Sequence, residues 1–423
     1  MATAATFSTF DILLHHYPEI LTAIASFLLI SHFSSSRSRT SLPRNWPVLG
    51  MLPGLAANFH RFHDFLTSIL RDSGFTFAFK GPWLFNMGFL ITCDPSNINH
   101  ILNTNFPNYV KGKEFAEIFD ILGDGLFGAD GDSSRHQRKL AQSIFVESDL
   151  QTVQVRVIQN KVEEGLVPFL DYMASEQRPF DLQDGFIRLT FDVACDTVLG
   201  LDLSSLSVEF PVVPFADAID DVEEAVLMRQ LMPPRIWKMI RWLNVGSEKK
   251  LASAWRVVDC FILGQIAKLR EKGGTSAGAY DLMTLHMIRG VDDDKFLRDS
   301  ALTFMLAGRD SISLTLSWFC YSVLTNPHVE SKILNELTSI VQASSDEQRK
   351  GTKALVFDAN MVQSAVYLHA ALCETLRLYP PLPFDHKEAV KTDVLPSGEN
   401  GAGGIENTVP NLLYGENGGH LGE

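Results

Sequence analysis

Two short segments of this chain hold residue types whose spacing suits chemistry. In the first, Ala307, Gly308, Asp310 and Ser311 lie within a long stretch of helical periodicity. A carboxylate beside a hydroxyl can hand on a proton, and small residues leave room for a bulky group at the backbone. The alternative is a glycine that lets helices pack, beside a solvated pair of Arg309 and Asp310. A helical glycine needs some such reason, because it costs up to ~1 kcal/mol relative to alanine.

The second segment ends at a pair of prolines and places Glu374 and Arg377 three positions apart. At that spacing on a helix, a carboxylate and a guanidinium lie on one face and can pair. Exposed pairs of this kind contribute roughly 0–1 kcal/mol and are common. Taken alone, the pair indicates no more than a solvated helix face.

Composition narrows the classes of protein. The 423 residues are 46% hydrophobic and 10% aromatic, which is enough for a deep core. The net charge of −14 argues against a nucleic-acid partner, which requires a basic face. The five cysteines are widely separated and form no Cys-x-x-Cys pair, so we expect free thiols without a disulfide framework or zinc site.

The amino-terminal residues 1–33 predict a membrane anchor. Ile20–Phe33 is apolar and Phe10–Leu14 adds a shorter apolar piece, together near the roughly 20 residues that a span requires. No basic residue precedes the run, whereas Arg37, Arg39 and Arg44 follow it, which predicts a cytosolic location for the rest of the chain. A cleaved signal peptide and a buried core helix are the alternatives.

The remaining residues predict a mainly α fold with a small β portion. Residues 34–54 form a polar linker and a proline-rich hinge, and short strands are expected within Phe75–Cys93. The glycine-rich residues 397–423 show no helical or strand period, and we expect disorder there. The clearest predicted helices are Val153–Met173, Phe186–Leu199, Ser253–Lys272, Phe296–Thr325, Pro327–Gln342 and Asn360–Leu378.

The order of these motifs resembles one known family. Phe296–Ser317 resembles the oxygen-activating helix of cytochromes P-450, and Tyr367–Pro381 resembles their Glu-x-x-Arg helix. Asn326–Val329 is similar to the helix start between the two, and Gly131–Lys139 to the helix that contacts a haem propionate. Over residues 10–396 the chain is identified as a member of the cytochrome P-450 family.

The resemblance implies haem as cofactor and a role for each matching residue. Asp310 and Ser311 would relay protons to the distal oxygen, and Arg138 would pair with a haem propionate. Glu374 and Arg377 would hold the core beneath the haem. The residues expected to line the pocket for oxygen and substrate are Phe304, Ala307, Gly308, Pro383 and Phe384.

Within the family, the sequences of three segments are most similar to those of plant fatty-acid and alkane hydroxylases, notably the midchain hydroxylases of wax alkanes. These segments are Phe127–Asp132, Ala307–Asp310 and Pro383–Lys387. The likeness implies a long-chain aliphatic substrate, electrons from the NADPH-cytochrome reductase, contact with membrane lipid, and a place in the endoplasmic reticulum membrane.

Three departures from the family pattern stand out. Ser134 replaces a tryptophan near the propionate, and Ser311 replaces the relay threonine. No segment matches the family's Phe-x-x-Gly-x-Arg-x-Cys-x-Gly loop, so the axial cysteine is absent from these residues. We therefore expect residues 55–396 to form a partial catalytic domain that lacks the haem-ligand loop and the following helix. Haem incorporation should fail, and the chain as given should be inactive.

The tail suggests a cause for the missing loop. One codon choice for Tyr414–Gly422, moved by one base, encodes a peptide that resembles related hydroxylases, which is compatible with a frameshift upstream of Tyr414. Two alternatives to a monooxygenase remain open: a membrane-bound remnant that binds lipid without haem, or the product of a pseudogene.

A further segment carries an amphipathic pattern. Arg235, Lys238 and Arg241 recur every three residues among Trp237 and Trp242, as in helices that lie in a membrane interface. An ordinary amphipathic helix with a solvated face is the favoured interpretation, and a helix that dips into the membrane surface is the alternative.

Overall fold

The computed structural model describes residues 42–83, 88–271, 281–343, 357, 359–398 and 400–401. The predicted membrane anchor, residues 1–33, and the predicted tail beyond residue 401 lie outside the described residues. Within the described ranges, no helix combines the length and the apolar character needed to cross a bilayer. The chain divides into two units, residues 1–88 and 89–423.

The first unit contains the predicted hinge and two helices. Trp46 and Gly50 exchange backbone hydrogen bonds of 2.7 and 2.8 Å, which closes the proline-containing turn. Helix α2 buries Phe65, Leu66, Ile69 and Leu70 along one face, as apolar residues at helical spacing require. The elements of this unit are α1 (Leu52–Ala57), α2 (Phe62–Asp72) and β1 (Thr76–Lys80).

The second unit is mainly helical. Strand β2 (Gly88–Thr92) begins at the boundary between the units. In chain order the helices that follow are α3 (Pro95–Asn99), α4 (Gly112–Ile118), α5 (Gly131–Phe145), α6 (Ser148–Lys161), α7 (Val167–Ser175), α8 (Leu182–Leu199), α9 (Pro214–Leu231), α10 (Pro234–Leu243), α11 (Gly246–Glu271), α12 (Leu282–Ile288), α13 (Asp294–Leu324), α14 (Pro327–Ala343), α15 (Ala359–Ser364) and α16 (Val366–Leu378).

The strands of the second unit are short. Strand β3 (Tyr109–Val110) pairs antiparallel with β4 (Glu388–Ala389), with Tyr109 opposite Ala389. Strand β5 (Asp393–Val394) pairs antiparallel with β6 (Asn400–Gly401). The prediction of a mainly α fold with a small β portion is confirmed.

Most predicted helices are present with small changes at their ends. The predicted helix Val153–Met173 is interrupted by a π-helical turn at Val162–Leu166, which joins α6 to α7. The predicted helix Asn360–Leu378 is divided at Ala365, so that α15 and α16 are separate. Pro214–Leu231 forms a helix that was not among the clearest of the predicted ones.

Side-chain caps fix the ends of the two central helices. The carboxylate of Asp181 accepts a hydrogen bond from the amide of Gln183 at the start of α8, and Asp293 does the same for Lys295 at the start of α13. Helix α8 ends at Gly200, whose φ of 61° is the left-handed conformation that glycine adopts without strain.

The main core lies among α8, α9, α11 and α13. On α13 it includes Ala301, Leu302 and Met305, each at most 1% exposed, which together form one face. A fully buried aliphatic side chain stabilises a fold by about 1.5–3 kcal/mol. Helix α13 is therefore fixed along its first half, and the small-residue segment 307–311 directly follows this buried stretch.

Candidate functional site

The predicted relay hydroxyl is engaged within its own helix. Ser311 Oγ donates to the carbonyl oxygen of Ala307 at 2.5 Å. This back-bond is the usual partner of a serine inside a helix. It leaves the oxygen of Ser311 able to accept a hydrogen bond, but its hydrogen must turn away from Ala307 before it can be donated elsewhere.

Gly308 lies in the centre of α13 and faces α8. A Cβ atom built on Gly308 would meet only the Cβ of Ala194, at 3.6 Å, which is an ordinary van der Waals contact. Close packing of helices therefore does not require a glycine at this position. This contact argues against the interpretation of Gly308 as a glycine that helix packing requires.

Asp310 is partly buried and shares its surroundings with Arg309. The guanidinium of Arg309 is 3% exposed and pairs with Asp220 of α9, and its Nη1 lies 3.6 Å from Asp310 Oδ1. The Oγ1 of Thr190, on α8, donates to the backbone carbonyl of Arg309 at 2.9 Å. The acid and the hydroxyl predicted for proton relay thus lie on a segment that two neighbouring helices hold.

The other predicted pocket residues lie in two places. The ring of Phe304 contacts Phe145 at 5.5 Å and His286 at 6.3 Å between ring centroids, so its described contacts are with α5 and α12. Pro383 and Phe384 are partly buried in the segment between α16 and β4. Their assignment to a substrate pocket remains a prediction.

Three cations gather around the predicted propionate residue. We call Lys111, Arg138 and Lys387 the cationic cluster. The ammonium group of Lys111 donates to the carbonyl oxygen of Phe127, and its amide donates to Asp130 at 2.9 Å. Lys387 is buried to 7% exposure, whereas Arg138 is exposed on α5.

The cations of the cluster affect one another electrostatically. Burial lowers the pKa of Lys111 to about 8, and the positive charges of Lys387 and Arg138 add to this effect. The carboxylates of Asp385 and Asp130 oppose it. A lysine whose pKa is lowered by neighbouring cations marks a place where an anion would be stabilised. The two carboxylates of haem fit this arrangement.

Sequence reasoning identified only Arg138 in this cluster. Lys387 belongs to a segment that carried the family resemblance, but nothing in its local spacing indicates an anion site. Lys111 precedes Gly112, whose φ is +81° and whose Cβ position would lie 1.8 Å from Glu388. That glycine is the one local signal that could have drawn attention to the turn that holds Lys111.

Glu374 and Arg377 form the predicted pair on α16. Arg377 donates from Nε and Nη2 to the two carboxylate oxygens of Glu374, at 2.7 and 2.6 Å. The hydrogen bond from Arg377 lowers the pKa of Glu374. Beyond the pair, Tyr379 stacks on Trp318 of α13, with 4.1 Å between ring centroids and 2° between planes, which joins the end of α16 to α13.

The five cysteines do not offer a thiolate suited to an iron ligand. Burial raises the pKa of Cys93 to about 11 and also raises the pKa of Cys195 and Cys320. Cys260 and Cys373 are exposed on α11 and α16. The thiolate is the form that binds metals. The cationic cluster therefore fits the carboxylates of haem, whereas none of the five cysteines lies in the loop pattern that the family uses for the iron ligand.

Of the two tryptophans named for the membrane interpretation of α10, only Trp242 is exposed. Trp237 is 2% exposed, because it packs inward, whereas Trp242 is 81% exposed. Lys238 and Arg241 pair with Glu117 and Asp120 instead of standing free. Two of the three basic residues that suggested lipid headgroups are therefore paired with carboxylates of the same chain.

Comparisons with known proteins agree with the motifs. The family model described as cytochrome P-450 matches residues 41–398. Noroxomaritidine synthase of Narcissus aff. pseudonarcissus MK-2014 is 51% identical over 388 residues, which are 90% of this chain and 75% of that protein. Alkane hydroxylase MAH1 of Arabidopsis thaliana is 38% identical over 367 residues, or 84% and 71% of the two chains. Cytochrome P-450 86B1 of the same plant is 38% identical over 395 residues, or 90% and 70%.

Proposed function

Because the chain belongs to the cytochrome P-450 family of haem-dependent monooxygenases, we propose that these residues serve the hydroxylation of a long aliphatic chain, such as an alkane or a fatty acid, once the haem iron has a cysteine ligand, which these residues do not supply. In this reaction one atom of dioxygen enters a carbon–hydrogen bond and the other leaves as water. Two protons and two electrons are consumed. The electrons come from a reductase, for which the NADPH-cytochrome reductase is our proposal.

The cationic cluster carries the proposal. Two of its three cations, Lys111 and Lys387, are at least partly buried. The neighbouring carboxylate of Asp130 is already engaged, because it accepts hydrogen bonds from the backbone amides of Lys111 and Gly112. When bound, haem supplies the activation of dioxygen, which a cysteine thiolate on the iron favours. Lys111, Arg138 and Lys387 would hold its carboxylates and so fix its orientation.

On the oxygen side, the residues of α13 provide space and protons. Ala307 and Gly308 present no bulky side chain. Asp310 would hold a proton at its carboxylate, and Ser311 would pass one on after its hydroxyl turns from the carbonyl of Ala307. These roles remain predictions for Asp310 and Ser311.

Two substrate classes have support. The 38% identity to alkane hydroxylase MAH1 and the segments Phe127–Asp132 and Pro383–Lys387 favour an aliphatic chain. The second candidate is a reaction of the kind that forms noroxomaritidine, because identity to noroxomaritidine synthase reaches 51% over 90% of this chain. A location in the endoplasmic reticulum membrane belongs to the same proposal, supported by the apolar run Ile20–Phe33 and the arginines that follow it.

A haem titration tests the cofactor side of this proposal. The chain is titrated with haem in the presence of imidazole, which replaces the iron ligand that these residues lack. Arg138→Gln should weaken binding at least about tenfold, because a hydrogen bond to a charged group is worth about 1.5–3 kcal/mol. The matched control is Lys139→Gln, the neighbouring exposed cation on α5, which should leave binding unchanged. Equal affinities of the two variants would contradict the assignment of the cluster to haem.

Substrate binding separates the two classes. Quenching of tryptophan fluorescence is followed while a long-chain fatty acid or the substrate of noroxomaritidine synthase is added to the full chain. Saturable quenching by the fatty acid alone is the expected result. Saturable quenching by the other compound alone would replace the aliphatic substrate with the second candidate.

A further inference from the structure

An imidazole and a thiol lie one helical turn apart on α16. His369 and Cys373 occupy positions i and i+4, which share one face of a helix. The Sγ atom of Cys373 is 3.8 Å from Nδ1 and 4.0 Å from Nε2 of the His369 ring. Both side chains are exposed, so that a dissolved ion can reach them.

The two groups have no competing protein partner. Within the part of the chain that the structure describes, the thiol and the imidazole make side-chain hydrogen bonds only with each other. The carboxylate that follows Cys373, that of Glu374, is held by Nε and Nη2 of Arg377. The lone pairs of the sulfur and of an imidazole nitrogen are therefore available to a ligand from solution.

The separation of the two groups matches that of two ligands on one zinc ion. Zinc binds a thiolate sulfur at about 2.3 Å and an imidazole nitrogen at about 2.0–2.1 Å, so that at a tetrahedral angle these two atoms lie about 3.6 Å apart. The distance between Sγ of Cys373 and Nδ1 of His369 is 3.8 Å. Rotation of the exposed ring about its side-chain bonds would turn a nitrogen lone pair toward the ion. The spacing i, i+4 is also that of the two zinc-binding histidines of a helical His-Glu-x-x-His motif.

The ligand types select the ion. Thiolate and imidazole together suit Zn²⁺, whereas Mg²⁺ and Ca²⁺ take oxygen ligands. Among the described residues, no group of three or more metal-binding side chains is present, so water would complete the coordination. We propose that His369 and Cys373 form a two-ligand site for Zn²⁺.

The site goes beyond the proposed function, because neither residue takes part in the oxygen reaction or in holding haem. When Zn²⁺ binds, the thiol of Cys373 releases its proton to solvent and its sulfur bonds to the metal. No electron is transferred, and no further reagent is required. The expectation from the sequence that the chain has no zinc site depended on the absence of Cys-x-x-Cys pairs, a spacing that this site does not use.

Zinc binding to single-residue variants tests the site. The full chain, kept reduced with a phosphine, is dialysed against Zn²⁺, and its affinity is compared with that of the variants. Cys373→Ser and His369→Gln should each weaken binding at least about tenfold, because the second ligand no longer binds at a high effective concentration. Cys260→Ser and His328→Gln are the matched controls, since both residues are exposed on other helices and have no partner of the other type one turn away. Both controls should leave the affinity unchanged.

Two further measurements show that the thiolate of the folded chain binds the metal. Co²⁺ in place of Zn²⁺ should give a near-ultraviolet charge-transfer band of a cobalt–thiolate bond in the unaltered chain and in Cys260→Ser, and no such band in Cys373→Ser. Zn²⁺ should also raise the temperature of thermal unfolding of the unaltered chain but not of Cys373→Ser, because a ligand that binds the folded state stabilises it.

Three results would overturn the proposal: equal zinc affinities in all variants, a cobalt–thiolate band in Cys373→Ser, or an unfolding temperature that Zn²⁺ does not raise. None of these measurements requires haem. Failure of the haem titration would therefore overturn the proposed function and leave the zinc site in place.

Discussion

The guanidinium of Arg229 lies over the indole ring of Trp237, with 4.7 Å between the guanidinium carbon and the ring centroid. Arg229 is 1% exposed and also donates to both carboxylate oxygens of Glu248, at 2.6 and 2.7 Å, and to Asp120 at 2.8 Å. Trp237 thereby joins α10 to a buried charge network. The exposed Trp242 is left as the tryptophan of α10 that can meet a membrane.

Replacement of each tryptophan by serine should affect a different property of the protein. Trp242→Ser should weaken the binding of residues 42–423 to anionic vesicles about tenfold, because a large apolar side chain is withdrawn from the interface. Trp237→Ser should instead lower the free energy of unfolding by about 3–5 kcal/mol, as loss of a buried tryptophan does. Vesicle co-sedimentation and urea unfolding measure the two effects. Unchanged sedimentation of Trp242→Ser would leave only the ordinary amphipathic helix.

Alanine at Gly308 should stabilise the chain. The new Cβ would meet Ala194 at an ordinary 3.6 Å, and alanine is favoured over glycine inside a helix by up to ~1 kcal/mol. Gly112→Ala is the contrasting variant: its φ of +81° and the approach to Glu388 predict a loss of more than about 1 kcal/mol. Urea unfolding compares them. A destabilised Gly308→Ala would restore the interpretation of a packing glycine.

The chain as given should show no thiolate-bound haem. Burial raises the pKa of three cysteines, and the other two are exposed on helices. After expression with a haem precursor, the reduced carbon-monoxide difference spectrum should lack the thiolate-type Soret band. If the band forms, Cys260→Ser and Cys373→Ser would show which exposed thiol binds the iron.

Ser311 should limit the coupling of oxygen reduction to product. The test joins residues 1–396 to the carboxyl-terminal residues of alkane hydroxylase MAH1, which supply a cysteine loop. Ser311→Thr should raise the yield of hydroxylated alkane per electron consumed, because the γ-methyl restricts the rotamer of the hydroxyl. Ser317→Thr is the control, since Ser317 makes the same kind of back-bond to Ser313 at 2.7 Å. Equal yields from the unaltered protein and its Ser311→Thr variant would contradict a role of Ser311 in the proton relay.

Asp393 should make stability depend on pH in the acid range. Hydrogen bonds from His100, Tyr109 and Asn105 outweigh burial and lower the pKa of Asp393 to about 2. A lowered pKa stabilises the fold above the ordinary carboxyl value near 3.8, and this contribution is lost as the pH falls toward 2. Asp393→Asn should flatten the dependence of thermal unfolding on pH between about 4 and 2, relative to the exposed control Asp171→Asn. Parallel curves for both variants would contradict this account.

Local spacing predicted the elements but not the contacts between them. Helix α13 was expected at Phe296–Thr325 and lies at Asp294–Leu324, because its apolar residues recur at helical spacing and Asn326-Pro327 ends it. Helix α9 was not among the clearest patterns, although its buried residues Ala218, Ile219 and Val222 recur at helical spacing and Asp217 and Asp220 are exposed.

The pairs that define the site join residues far apart in the chain. Nothing in the sequence around Asp220 indicates Arg309, and nothing around Lys111 indicates Lys387, because each pairing is produced by the packing of whole helices and turns. The membrane interpretation of Trp237 depended on its basic neighbours. Those neighbours instead meet Glu117 and Asp120, whose positions only the fold determines.

Because α13 is continuous, an insertion or deletion within it would alter the contacts of the residues that follow. Its 31 residues hold buried contacts at Leu302 and, beyond them, the contacts of Arg309, Asp310 and Ser311. Each residue of a helix turns the chain by about 100°. A single codon gained or lost between Leu302 and Arg309 would therefore rotate the side chain of Arg309 away from Asp220 and its carbonyl oxygen away from Thr190, while the first half stayed in place. Substitutions along α13 keep this alignment, whereas a change in the number of its residues does not.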